Sequence, residues 1–177
     1  MVKTLLCAFD IRSGIFCSKC EEKIRSGEVT KRDIEMARLL MRLEEKFPVL
    51  QDVTLYRTVE AGGVLAVLVD HDDVSRMLSH GGKIIRTLSD ELGKRIRVLE
   101  SKGDLRSFLE DLFFPMSIVS INTIWVPDGS TEIRVILSGR ERSLPIDINS
   151  VKKLAQAARG IVLRVDFERP SQRRRVR

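Results

Sequence analysis

The feature that most constrains the fold of this chain is a repeated order of sequence patterns. Residues 30–98 contain a helical pattern, two strand patterns, two further helical patterns and a closing strand pattern. Residues 104–167 follow that order again. In both stretches the last helical pattern ends at a glycine, Gly93 or Gly160, as helix C-termini commonly do. An internal duplication of this size predicts an α+β fold made of two small tandem units.

Single segments agree with this order. Thr30 and Asp33 resemble a capping box at the start of a helix that Pro48 stops. The run VLAVLV at 64–69 is continuously apolar, which is typical of a strand buried on both faces. We place the junction between the two units near residues 101–103.

The stretch LSHGGKI at 78–84 joins the two adjacent helical patterns of the first unit. Gly81 and Gly82 allow a sharp turn and would let a phosphate approach the start of the next helix. Lys83 and Arg86 add positive charge at that place. The alternative is a glycine turn that only connects two helices.

In this context the stretch LSHGGKIIRTLSDELGKRIRV resembles the G-x-x-G segment of type II KH domains, an RNA-binding family. FLEDLFFPMSIVSINTIWVPDG resembles the opening of the second KH domain in archaeal NusA-like proteins. The resemblance implies two tandem type II KH domains, at 30–102 and 103–168. A cysteine-containing segment at 1–29 precedes them, and a basic, disordered tail at 169–177 follows.

The resemblance further implies that single-stranded RNA lies in a groove beside the loop, with its phosphates held by the N–H groups of Gly81, Gly82 and Lys83. Ser79 stands where the family motif has its first glycine, and Ile84 could equally pack in the core. The residues expected to contact RNA are Leu78, Ser79, His80, Gly81, Gly82, Lys83, Ile84 and Arg86.

The corresponding loop of the second unit is LPIDIN. Pro145 lacks an N–H group to donate, and the carboxylate of Asp147 would repel a phosphate. We therefore expect the second unit to brace the first or to bind a protein. For Trp125, in a strand pattern of this unit, we expect ordinary cross-strand packing.

The segment at 1–29 contains the three cysteines of the chain. Cys17 and Cys20 form a C-x-x-C pair, and Cys7 and Asp10 have the same spacing. These four residues could hold a structural zinc ion. Two alternatives remain open, a redox pair and cysteines without a special role. RNA binding itself requires no cofactor.

Charge and motif content narrow the function classes. The net charge of +6 comes mostly from five arginines in the last nine residues, so the rest of the chain is nearly neutral. No apolar run is long enough to span a membrane, and we expect a cytoplasmic monomer. No P-loop, G-x-S-x-G motif or convincing catalytic set occurs, so we expect a protein that is not an enzyme.

Three functions remain to be compared. The first is a non-enzymatic RNA-binding protein in transcription elongation, termination or RNA metabolism. The second is an adaptor that binds RNA polymerase or a ribosomal particle and has little direct contact with RNA. The third is a helix-turn-helix protein that binds duplex DNA, which the flanking strands and the nearly neutral body disfavour.

Overall fold

The structure is a computed structural model that describes residues 1–168, and the predicted basic tail at 169–177 lies outside the described residues. The helices are α1 (Ala8–Ser13), α2 (Ser18–Arg25), α3 (Lys31–Leu43), α4 (His71–Leu78), α5 (Lys83–Leu92), α6 (Leu105–Phe113) and α7 (Ile148–Arg159). The strands are β1 (Lys3–Thr4), β2 (Thr54–Ala61), β3 (Val64–Val69), β4 (Arg95–Glu100), β5 (Ile118–Trp125), β6 (Thr131–Leu137) and β7 (Leu163–Phe167). The mixed α+β composition agrees with the predicted fold class.

The strands form two sheets with related topology. The first sheet has the order β1-β2-β3-β4, and the second has the order β5-β6-β7. Each contains an antiparallel hairpin, β2–β3 or β5–β6, followed by a strand that is parallel to the second strand of the hairpin. Strand β1 adds to the first sheet by parallel pairing with β2.

The first sheet separates two hydrophobic cores. The odd-numbered residues of β3 belong to a core with α1–α5, and its even-numbered residues belong to a core with α6, α7 and the second sheet. All six residues of β3 are buried. This confirms the two-faced burial that the apolar run predicts, because side chains alternate between the faces of a strand.

The N-terminal segment packs into the first of these cores. Its buried apolar residues are Val2, Leu6, Ile11, Cys20 and Val29. Arg38 Nε on α3 also donates a hydrogen bond to the carbonyl of Ile11, at 2.8 Å. Segment 1–29, which we set apart from the first unit on sequence grounds, therefore shares the core of that unit.

One element boundary and one whole element differ from the prediction. Helix α3 ends at Leu43 rather than continuing to Pro48, and a short 3-10 helix, Pro48–Asp52, follows. In the second unit a single 3-10 turn, Glu141–Ser143, stands where the first unit has α4. Within residues 1–168, no helix is long and apolar enough to cross a membrane.

Arginines join the two units. Arg95 Nη1 donates to the Pro145 carbonyl at 2.6 Å, and Arg97 Nη1 donates to the Phe114 carbonyl at 2.8 Å. From the other direction, Arg159 on α7 donates to the carbonyls of Glu100 and Gly103, at 2.8 and 3.0 Å. Burial lowers the pKa of Arg97 and of Arg159. These side chains thus form hydrogen bonds between the two units.

Candidate nucleic-acid interface and metal cluster

The turn between α4 and α5 consists of one extended residue followed by three left-handed ones. Ser79 has φ −63° and ψ 179°, whereas His80, Gly81 and Gly82 have φ values of 57°, 63° and 75°. Left-handed backbone costs glycine little, and histidine adopts it more often than most other residues. His80 is the only non-glycine residue with positive φ among residues 1–168, and it lies in this turn.

Side-chain contacts hold His80 in this conformation. Ser79 Oγ donates to the Arg76 carbonyl at 2.6 Å, so His80 Nδ1–H is the donor in the 2.7 Å contact between Nδ1 and Ser79 Oγ. The imidazole also packs edge-on against Phe47, with ring centroids 5.7 Å apart. His80 thus acts in positioning the turn, although its side chain is exposed.

The turn closes on itself through two backbone hydrogen bonds. The N–H of Gly82 donates to the Ser79 carbonyl at 3.1 Å, and the N–H of Lys83 donates to the His80 carbonyl. These two N–H groups are therefore not available to bind phosphate, contrary to the expectation from the sequence, because both have partners inside the turn. The N–H of Gly81 and the first turn of α5, which has no side-chain cap, are the backbone groups that this site offers.

The turn is open to solvent. A Cβ atom added to Gly81 or Gly82 would meet nothing within 4 Å. Both glycines are needed for their positive φ and not because a neighbouring group crowds them. This open space would admit a sugar-phosphate chain close to the backbone.

The basic side chains between residues 83 and 97 differ in whether they are available beside the turn. Lys83 and Arg86 are exposed and form no salt bridge with any residue in 1–168. By contrast, Lys94 pairs with Glu60, while Arg95 and Arg97 are bound to carbonyls of the second unit. The local cationic patch therefore consists of Lys83 and Arg86.

The two apolar residues predicted for base contact differ in exposure. Leu78, at the end of α4, is 53% exposed and can contact a ligand. Ile84, one residue into α5, is 0% exposed and packs in the first core. The side chain of Ile84 is therefore a core residue, which corrects its place among the predicted RNA contacts.

The second unit has no counterpart of the glycine turn between residues 144 and 149. Asp147 is the N-cap of α7, and its carboxylate accepts the N–H of Ser150 at 3.0 Å. The hydrogen bond from the Ser150 hydroxyl, and then this backbone hydrogen bond, lower the pKa of Asp147. Asp147 thus has a clear structural role as a helix cap.

The four predicted metal ligands lie together. One ligand atom each from Cys7, Asp10, Cys17 and Cys20 falls within 4.8 Å of all the others. Cys7 and Cys17 are exposed, whereas Asp10 and Cys20 are buried. The N–H of Cys17 is the main cause that lowers the pKa of Asp10, and burial raises the pKa of the Cys20 thiol to about 12. Such a set of thiols and one carboxylate suits a tetrahedral metal ion.

The structure also exposes large apolar side chains that sequence reasoning missed. Trp125 is 77% exposed and Phe114 is 65% exposed, so Trp125 is mostly open to solvent although it lies opposite Thr131 in the hairpin. Val119 on the same strand as Trp125 is 48% exposed. Strand β5 is an edge strand, and its alternation alone does not reveal whether its outer face is covered.

Comparisons with known proteins show a distant similarity. No family model matches the chain. It is 27% identical over 62 residues to the probable transcription termination protein NusA of Methanocaldococcus jannaschii, covering 35% of this chain and 32% of that protein. It is 26% identical over 71 residues to the protein of the same name from Methanococcus vannielii, covering 40% and 39%. The match thus spans well under half of the length of these curated relatives.

A crystal structure described as APE1850 covers 72% of this chain and 96% of its own, with 23% sequence identity and a TM-score of 0.49. The two curated proteins show that the chain is distantly similar to archaeal NusA over a part of its length.

Proposed function

We propose that this protein is a non-enzymatic RNA-binding factor that acts in transcription elongation or termination, or more widely in RNA metabolism. Its first KH-like unit grips single-stranded RNA at the turn between α4 and α5. The observation that carries the proposal is the run of three left-handed residues, His80–Gly82, which is open to solvent and directly precedes a helix N-terminus.

The contacts of the proposed interface follow from the geometry. A phosphate beside Gly81 would meet its N–H group and the uncapped first turn of α5, which attract anions. Lys83 and Arg86 would supply charge to adjacent phosphates, and the exposed side chain of Leu78 would contact a base. Ser79 and His80 would hold the turn in shape.

The distant relatives support the cellular role. Both curated proteins are named as probable transcription termination proteins. For this chain, RNA polymerase or a ribosomal particle would be a second partner beside RNA. The five arginines of residues 169–177 would add affinity that does not depend on RNA sequence.

The test is fluorescence anisotropy with a labelled pool of single-stranded RNA, measured across a salt series. Gly81→Asp places a carboxylate at the turn, and the matched control is Gly129→Asp, in another exposed turn with positive φ. We expect only the first change to abolish most binding while circular dichroism stays unchanged. A labelled DNA duplex serves as the second probe, which should bind less tightly.

Removing the positive charge of Lys83 and Arg86 gives a quantitative test through the salt dependence of RNA binding. For single-stranded nucleic acid, the slope of log K against log salt is about −0.7 per phosphate contact. The variant Lys83→Gln/Arg86→Gln should therefore reduce the magnitude of the slope by about 1.4. If only a chain that ends at Glu168 loses affinity, binding is due to the tail and the proposal for the turn fails.

A second candidate is the adaptor function, which the exposed Trp125, Val119 and Phe114 favour. Aromatic side chains are enriched in protein interfaces, so an exposed tryptophan and phenylalanine are candidate contacts to a partner. If no form of the chain binds RNA, a pull-down with Trp125→Ala as the control would test this function. Loss of a specific partner in that variant would support the adaptor.

A further inference from the structure

Two short helices of the N-terminal segment each carry two metal-binding side chains at their start. Cys7 is the N-cap of α1 and Asp10 is its third residue, while Cys17 is the N-cap of α2 and Cys20 is its third residue. Side chains at these two positions lie on the same side of the first helical turn, as they do in capping boxes. Each helix start therefore brings its own pair of ligand atoms together.

Reciprocal hydrogen bonds then bring the two pairs together. The N–H of Cys17 donates to Asp10 Oδ2 at 3.0 Å, and the N–H of Cys7 donates to Cys20 Sγ at 3.4 Å. Neither N-cap residue caps its own helix with its side chain, so the ligand atoms stay available. The start of α1 is thus bound to the start of α2 in both directions.

The resulting cluster is close to the size of a zinc site. In a tetrahedral site with usual bond lengths, two sulfur ligands are about 3.8 Å apart and a sulfur and an oxygen about 3.5 Å apart. All four ligand atoms here lie within 4.8 Å of one another. A contraction of at most about 1.3 Å, within reach of side-chain rotation, would complete the coordination shell.

Burial and charge point to a cation. Asp10 is 6% exposed and forms no salt bridge with any of residues 1–168. A buried carboxylate normally pairs with a positive group or a metal ion. The exposed sulfur residues, Cys7 and Cys17, leave a path by which a metal ion could enter.

We infer that Cys7, Asp10, Cys17 and Cys20 bind one Zn²⁺ ion in a closed structural site. Three thiolates favour zinc over Mg²⁺ and Ca²⁺, which prefer oxygen ligands, and four protein ligands leave no open position for catalysis. The ion would cross-link α1 and α2, and so hold the segment that contributes Ile11 and Cys20 to the first core. This inference does not depend on RNA binding.

The test measures metal binding by the full chain, purified with a non-thiol reductant. Mass spectrometry of the metal content should give one zinc ion per chain. Replacement with Co²⁺ should give the visible absorption of a tetrahedral ion together with thiolate-to-cobalt charge-transfer bands. Cys17→Ser changes an exposed ligand and should lower the zinc affinity by more than the 10- to 100-fold typical of an outer-shell change. Ser18→Ala, at the next exposed position, is the matched control.

Two further outcomes separate the inference from its alternatives. Asp10→Cys completes a four-thiolate set, so it should keep the zinc ion and strengthen the charge-transfer band. A chelator should lower the melting temperature of the native chain but not that of Cys17→Ser. Absence of zinc binding by the reduced chain, or equal binding by Cys17→Ser, would overturn the inference. A disulfide between Cys17 and Cys20 whose reduction creates no zinc site would also overturn it, in favour of a redox pair.

Discussion

Replacing Asp33 by alanine should destabilise the first unit, because this buried side chain joins α3 to β2. Asp33 Oδ2 accepts the N–H and the hydroxyl of Thr30, both at 2.7 Å, and the Asp33 N–H donates to Thr30 Oγ1 at 3.3 Å. Asp33 Oδ1 accepts the N–H of Thr58 and its hydroxyl, the latter at 2.7 Å. One carboxylate thus caps a helix and also fixes a strand of the sheet.

The expected magnitude follows from these contacts. Loss of an N-terminal cap costs about 1 kcal/mol. In the alanine variant, the buried N–H of Thr58 would lose its acceptor, which costs about 1–3 kcal/mol. The free energy of unfolding should therefore fall by about 3 kcal/mol. With a slope of about 2 kcal/mol per molar urea, the midpoint should fall by about 1.5 M.

Urea unfolding followed by circular dichroism provides the measurement. Asp33→Asn keeps one oxygen acceptor and should lose about half as much stability. Glu35→Ala changes an exposed carboxylate two residues further along the same helix, and should stay within about 0.5 kcal/mol of the native chain. A loss below about 1 kcal/mol for Asp33→Ala would show that the network does not stabilise the unit as its geometry implies.

Three other predictions test different parts of the structure. Gly62→Ala should lower the melting temperature more than Gly63→Ala, because only at Gly62 would the new Cβ lie 2.5 Å from Ser150 Cβ on α7, and both glycines have positive φ. In the glycine turn, His80→Gly should be more stable than His80→Ala by about 1 kcal/mol in urea unfolding, since both lose the ring and only alanine is strained at positive φ. Burial, with a further contribution from the charge of Glu100, raises the pKa of Asp111. The folded state therefore binds this proton more tightly than the unfolded state, and the ionised form of Asp111 destabilises the fold at high pH. Asp111→Asn removes this charge, so it should raise the melting temperature more at pH 7 than at pH 4. An equal change at both pH values would contradict this cause.

The sequence allows the prediction of features that depend on local pattern. The apolar run at 64–69 specifies a strand buried on both faces, because side chains alternate and every position is apolar. The two glycines at 81–82 locate a turn with positive φ, because few other residues adopt that conformation readily. Thr30 and Asp33 form the capping box that their spacing predicts.

Features that depend on contacts far along the chain could not be predicted in this way. Periodicity does not reveal which of Leu78 and Ile84 faces the core, since both lie next to the turn. Nor does local sequence show that Arg95 and Arg97, which lie in one basic stretch of the chain, donate to carbonyls of the second unit. The two-residue strand β1 forms only because β2, some fifty positions later, offers an edge for pairing.

The shared first sheet affects how the chain can fold. Strand β3 contributes its two faces to two cores, so neither core excludes water unless the strand is in place. If either half were removed, the sheet of the remaining half would expose the apolar side chains that the missing half covers. The two halves therefore form one cooperative folding unit, despite their repeated order in the sequence. A gene fragment for either half alone would encode an aggregation-prone product rather than an exchangeable module.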